Sequence, residues 1–281
     1  MRVGGVPLHV VVEGSGPVCV LSAGLAMSWF DWDPVVPLLA PHRTVIRFDR
    51  PGHGLSAPTA VPPTAAGEAH RIAGLLDALG AAGPVTVVGH SLAGFHAEAF
   101  ARLHPERTAA LVLLDSSVEE DPRTVLPPAV RTAFARALGR AVTAAGLPAA
   151  FGALARRATV RASRTGGPDP APPDLVGRCY RTGRVWQGVL LENARYPDMA
   201  AELLALRAAY PLRAPATVVA GYDGSASGPA LRWLGRQAAL ADRIEARFEV
   251  ADGAGHLVML DRPNQVARAV LSAVPAPGDD G

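Results

Sequence analysis

The stretch Val85-Thr86-Val87-Val88-Gly89-His90-Ser91-Leu92-Ala93-Gly94 constrains this chain more than any other. Four strand-forming residues run into a glycine-flanked serine, and a helix-like segment, Phe95 to Leu103, follows at once. A serine hydroxyl is a weak nucleophile unless it is held exposed beside a base and near hydrogen-bond donors. A sharp strand-to-helix turn supplies part of that. It lifts the side chain clear of the sheet and aims the first N–H groups of the helix at the place where negative charge develops. Small residues must flank such a serine because two backbones nearly touch, and Gly89, Ala93 and Gly94 meet that need. The same residues would also serve an ordinary strand-to-helix turn with a solvent-facing serine, so the rest of the chain has to decide.

Leu8 to Val12, Val18 to Ser22, Val45 to Phe48, Ala110 to Leu114 and Thr217 to Ala220 read as buried strands, with Phe248-Glu249-Val250 a weaker candidate. Trp29 to Ala40 and Thr64 to Leu79 carry apolar residues at helical spacing; in the second, Ile72, Leu75, Leu76 and Leu79 share one face. Continuous β-branched runs separated by helices predict a mostly parallel α/β sheet covered by helices on both faces. Sites on such sheets lie beyond the carboxyl ends of the strands. Gly24, Asp49, Ser91, Asp115, Asp223 and His256 each follow a predicted strand.

The rhythm breaks between Glu119 and Arg213, where alanine- and arginine-rich helical patterns surround Thr165-Gly166-Gly167-Pro168-Asp169-Pro170-Ala171-Pro172-Pro173, a segment that cannot be regular structure. The expected organisation is a core of residues 1–118 and 214–281 with an inserted helical cap at 119–213. The tail from Pro275 to Gly281 is polar, short and expected to be disordered.

All 27 basic residues are arginine, against 25 acidic ones, and the formal net charge is +2. That balance argues against a nucleic-acid footprint, which would be strongly basic and clustered. No apolar run approaches the length of a membrane span, and the first residues do not read as a secretory signal, so a cytoplasmic location is expected. Cys19 and Cys179 form neither a disulfide framework nor a metal site.

Three segments together resemble the α/β-hydrolase superfamily: Asp49-Arg50-Pro51-Gly52-His53-Gly54-Leu55-Ser56, Gly89-His90-Ser91-Leu92-Ala93-Gly94, and Gly253-Ala254-Gly255-His256. The order, serine first and histidine near the carboxyl end, is that superfamily's order. The resemblance implies Ser91 as nucleophile and His256 as the base that takes its proton and returns it to the leaving group. It implies oxyanion donors at the N–H groups of Leu92 and Leu25. Many relatives carry His-Gly before that second donor; this chain has Ala23-Gly24, which changes what supports the loop. Ala93 also stands where the stricter motif has glycine.

The acid that orients the histidine is expected after the strand Thr217 to Ala220. Asp223 is favoured there, one residue short of the usual position, with Asp115 as the rival at the end of Ala110 to Leu114. In the lobe, Phe134, Leu138, Phe151, Leu154, Tyr180 and Trp186 are pocket walls or the lobe's own core. Arg156, Arg157, Arg161 and Arg164 are either an anion-recognising set or a solvated face. The expected activity is hydrolysis of an ester, or less readily a lactone or amide, of a small molecule, with no cofactor or metal. The same triad could instead serve perhydrolysis or carbon–carbon cleavage, or lie silent in a ligand-binding relative.

Overall fold

Strand β1 (Arg2–Val3) and β2 (Val6–Pro7) form a small antiparallel hairpin ahead of the main sheet. The computed structural model that carries this arrangement describes residues 1–274. The expectation of a disordered tail at Pro275–Gly281 falls outside the described residues.

Seven strands make the main sheet: β3 (Val10–Glu13), β4 (Val18–Ser22), β5 (Thr44–Phe48), β6 (Val85–His90), β7 (Thr108–Leu114), β8 (Ala216–Tyr222) and β9 (Arg247–Asp252). Their order across the sheet is β3-β5-β4-β6-β7-β8-β9, with β3 antiparallel to β5 and every other pairing parallel. Side chains alternate between faces along a strand. Val85, Val87, Leu111 and Leu113 therefore join one apolar core, while Val88, Ala110, Val112 and Leu114 join the other. Burial on both faces explains why β6 and β7 read as unbroken apolar runs rather than as alternating ones.

The helices are α1 (Val36–Leu39), α2 (Ala65–Ala78), α3 (Ala93–Leu103), α4 (Pro128–Ala144), α5 (Leu147–Ala162), α6 (Pro173–Tyr180), α7 (Gly183–Ala209), α8 (Gly228–Arg243), α9 (Val258–Asp261) and α10 (Pro263–Leu271). The apolar stripe of α2 and the aromatic residues Phe95 and Phe100 of α3 fill the first core; α1, α9 and α10 fill the second. Thr64 caps α2, its hydroxyl accepting from the N–H of Gly67 at 2.9 Å.

One expectation needs correction. Trp29 to Ala40 is not one helix but a 3-10 turn at Trp29–Trp32 followed by the single turn α1. Pro34 and Pro37 lack the N–H groups that a continuous helix would need there. Helices α8 and α10 complete the two faces, Leu240 and Ala241 joining the first core and Val266 and Val270 the second. Between β7 and β8 the chain leaves the sheet for α4, α5, α6 and α7, and the glycine- and proline-rich segment links α5 to α6 without regular structure. Among the described residues, no single helix is long and apolar enough to cross a membrane.

Candidate active site

Ser91 occupies the turn between β6 and α3 with φ at +53°, a left-handed conformation unusual for a residue with a side chain. The turn is held by Ser91 N–H donating to the Leu114 carbonyl and Ser117 N–H donating to the Ser91 carbonyl, each at 3.0 Å. Its tightness sets the flanking sequence. A Cβ on Gly89 would collide with the Ala93 carbonyl, and one on Gly94 with the Ser116 hydroxyl. Leu92 caps the amino end of α3, and its N–H precedes the first helical turn and so has no acceptor within the helix.

His256 lies in the loop between β9 and α9. Its Nε2 is 2.9 Å from Ser91 Oγ and its Nδ1 is 2.6 Å from Asp115 Oδ2. An ionised carboxylate only accepts, so Nδ1–H is the donor and the Nε2 lone pair faces the serine hydroxyl. Asp261 braces the loop, accepting from Gly255 N–H at 2.9 Å and Thr165 N–H at 3.0 Å, while Arg164 grips its other oxygen at 2.8 Å.

The carboxylate beside His256 is thus Asp115, and the expectation of Asp223 is corrected. Register explains the difference. Leu114 pairs with Val219 across β7 and β8, so Asp115 emerges beside Gly221, whose N–H donates to Asp115 Oδ1 at 2.9 Å. The indole N–H of Trp233 on α8 donates to the same oxygen at 2.8 Å. Asp115 is 2% exposed and stands at φ +42°. Asp223 is exposed and, among the described residues, accepts only from the N–H of Ser225, two residues on. Trp233 escaped the sequence reading; an indole on a helix directly following the Asp223 loop was its one available signal.

The loop after β4 closes on the serine from the other side. Met27 N–H donates to the Gly24 carbonyl at 3.2 Å, making Leu25 and Ala26 the centre of a turn, with Ala26 at φ +59°. A Cβ on Gly24 would stand 2.8 Å from His90 Nδ1 and 3.0 Å from Ser91 Cβ, so glycine is needed for this approach. Leu25 follows immediately and lines the same cavity as Ser91.

His90 and His96 are buried. Burial, then the neighbouring His256, holds His90 well below the ordinary histidine range; burial pushes His96 down to about 3. Neutral His90 donates from Nε2 to the His256 carbonyl at 2.9 Å, which steadies the loop carrying His256.

Above Ser91 and His256 is a cavity of about 310 Å³. Leu25, Met27, Val160, Val185, Trp186 and Leu190 are among its apolar wall residues, with residues of α5 and α7 prominent. Tyr180 and Trp186 are therefore wall residues, whereas Phe134, Phe151 and Leu154 are exposed. Arg156 also borders the cavity, but Asp31 and Asp169 enclose its guanidinium, and all three side chains are at most 3% exposed. Arg164 is engaged by Asp261, leaving Arg157 and Arg161 as exposed members of the set. Among the described residues, no group of three or more His, Cys, Asp or Glu side chains is placed to hold a metal.

Comparison with known proteins agrees with this architecture. Lipase LipV of Mycobacterium tuberculosis is 40% identical over 124 residues, which are 41% of this chain and 44% of that protein. Epoxide hydrolase B of the same organism is 34% identical over 120 residues, 38% of this chain and 32% of that protein. The matched stretches thus span less than half of either relative. The crystal structure of Cfl2 from Burkholderia cenocepacia superimposes with a TM-score of 0.78 at 23% identity, covering 98% of this chain and 94% of that one, a likeness of fold. The family model described as "Alpha/beta hydrolase family" matches residues 19–269, nearly the whole chain, and the protein belongs to that family.

Proposed function

We propose that the protein is a serine hydrolase that cleaves a carboxylic ester of a neutral, largely apolar small molecule through an acyl-enzyme. The observation that carries this reading is the unbroken chain of contacts Ser91 Oγ, His256 Nε2, His256 Nδ1, Asp115 Oδ2. Ser91 attacks the carbonyl carbon as His256 takes its proton, and Asp115 stabilises the imidazolium that forms. The N–H groups of Leu25 and Leu92 receive the oxyanion. Collapse expels the alcohol, protonated by His256; water activated by the same imidazole then releases the acid and regenerates Ser91. Lactones and amides follow the same course. Helices α4–α7 serve as the cap that walls the acyl site.

The wall chemistry favours a neutral substrate, because the bordering guanidinium of Arg156 is already paired with two carboxylates. Ser91 itself argues against epoxide opening: a serine that attacked an epoxide carbon would form an ether, which the triad has no means of hydrolysing.

The test is turnover of p-nitrophenyl esters from acetate to octanoate by the wild type and by Ser91→Ala. Hydrolysis abolished in Ser91→Ala supports the reading; hydrolysis that persists there, or its absence across the series in the wild type, rejects it.

A further inference from the structure

The turn that presents Leu25 is gripped from the helices above it. Arg50, in the loop after β5, donates from Nη2 to the Gly24 carbonyl at 3.0 Å and from Nη1 to the Ala23 carbonyl. The same guanidinium is clasped by Glu192 of α7, Nε to Oε1 at 2.7 Å and Nη2 to Oε2 at 2.8 Å. Both side chains are 3% exposed, so neither charge has water as an alternative partner. The reach of α7 is set one turn earlier, where Gly188 lies against the loop of Arg50; a Cβ on Gly188 would stand 2.8 Å from the Gly52 carbonyl oxygen. A second tie comes from α6, whose Tyr180 hydroxyl donates to the Ala26 carbonyl at 2.8 Å.

The Gly24 carbonyl and the Leu25 N–H belong to one peptide unit, which is planar and trans, so they point in opposite directions. Fixing the oxygen fixes the direction of the N–H. A cationic donor on that oxygen also polarises the peptide and strengthens its N–H as a donor. Ala23, the residue before this glycine, offers no side-chain hydrogen bond to the turn, and Arg50 holds its carbonyl as well.

We propose that Arg50 and Glu192 are positioning residues for the oxyanion hole, so that the seating of α7 on the core sets the aim of the Leu25 N–H. The catalytic consequence rests on the ester-hydrolase reading; the linkage between α7 and the turn does not.

The test uses Glu192→Gln, which keeps shape and removes charge, together with the double variant Arg50→Met/Glu192→Met. The double variant removes both buried charges at once, which preserves folding where a lone charge would not, and it lacks the clamp. Two quantities are read in the full-length protein: kcat and KM for p-nitrophenyl butyrate, and amide hydrogen exchange over residues 20–28. Expected in both variants is a kcat lower by about 10- to 100-fold with KM within about threefold, and faster exchange over residues 20–28 with α3 protection unchanged. A role in stability alone predicts instead that the double variant recovers wild-type kcat, and that recovery would overturn the proposal. Unaltered exchange over residues 20–28 in both variants would overturn it as well. If the wild type hydrolyses no ester, the ester-hydrolase reading fails, and exchange by itself decides whether α7 holds the turn.

Discussion

Asp115 Oδ2 lies 2.6 Å from His256 Nδ1, although 141 residues separate the two in the chain. The second oxygen of Asp115 is saturated by the Gly221 N–H and the Trp233 indole, so the carboxylate is held in one orientation before any substrate arrives. A buried carboxylate fixed from three sides can hold the imidazole in one tautomer throughout a reaction cycle.

Replacing Asp115 by Asn should therefore lower kcat for ester hydrolysis by about 10⁴-fold, the scale found when a triad acid loses its charge and with it the correct histidine tautomer. Asp223→Asn should stay within about twofold of the wild type, as expected for an exposed side chain that bonds to the Ser225 N–H while Asp115 holds the imidazole. Parallel steady-state kinetics on the two variants check this, and the reverse ranking would reinstate Asp223.

Much of the site was legible in the sequence, and the part that was not has a definite physical reason. Ser91 could be read from its neighbours because a tight turn imposes local demands: strand-forming residues before it, small residues around it, a helix after it. The acid imposed none. Asp115 and Asp223 both follow strands that end at the same edge of the sheet, and β7 and β8 are adjacent. Choosing between them required the register of Leu114 on Val219, a long-range fact. Arg50 was visible as part of a motif, but its partner Glu192 lies 142 residues away on a helix whose packing no local pattern specifies. The fold was legible for a different reason: buried parallel strands write themselves as continuous apolar runs.

Gly24→Ala should act through crowding. The added methyl would stand 2.8 Å from His90 Nδ1 and 3.0 Å from Ser91 Cβ, forcing the Leu25 turn outward. Loss of one oxyanion donor lowers kcat by about 10²- to 10³-fold, and a fall of that order is expected with the melting temperature little changed. Kinetics paired with thermal denaturation check both halves.

The buried histidines should cost stability on acidification, opposed in part by Asp49, whose carboxyl burial pushes up to about 6. His90 and His96 are buried with pKa values below that of an unfolded-chain histidine, His96 at about 3. At these two sites the unfolded chain binds more protons than the folded one between that value and about 6.5, so their contribution to stability is lost as pH falls. For His96 alone the loss from pH 7 to pH 5 is on the order of 2 kcal/mol. Urea denaturation of the wild type and of His96→Leu at the two pH values should show the variant losing less stability on acidification, and equal losses would contradict this.

The apolar cavity makes a prediction about chain length. Leu190→Trp should lower kcat/KM for octanoate by about tenfold or more while leaving acetate within about threefold, because removing room from a hydrophobic site costs about 1–3 kcal/mol. A series of p-nitrophenyl esters reads the shift directly; a uniform loss at every length would place the acyl group elsewhere.

The most direct test of the account is where a covalent adduct forms. After reaction with a fluorophosphonate, intact mass and peptide mapping should show one adduct on the peptide containing Ser91, absent in Ser91→Ala and formed far more slowly in His256→Ala. An adduct on another residue, or none under conditions that label a control esterase, would contradict the assignment of Ser91 as the nucleophile.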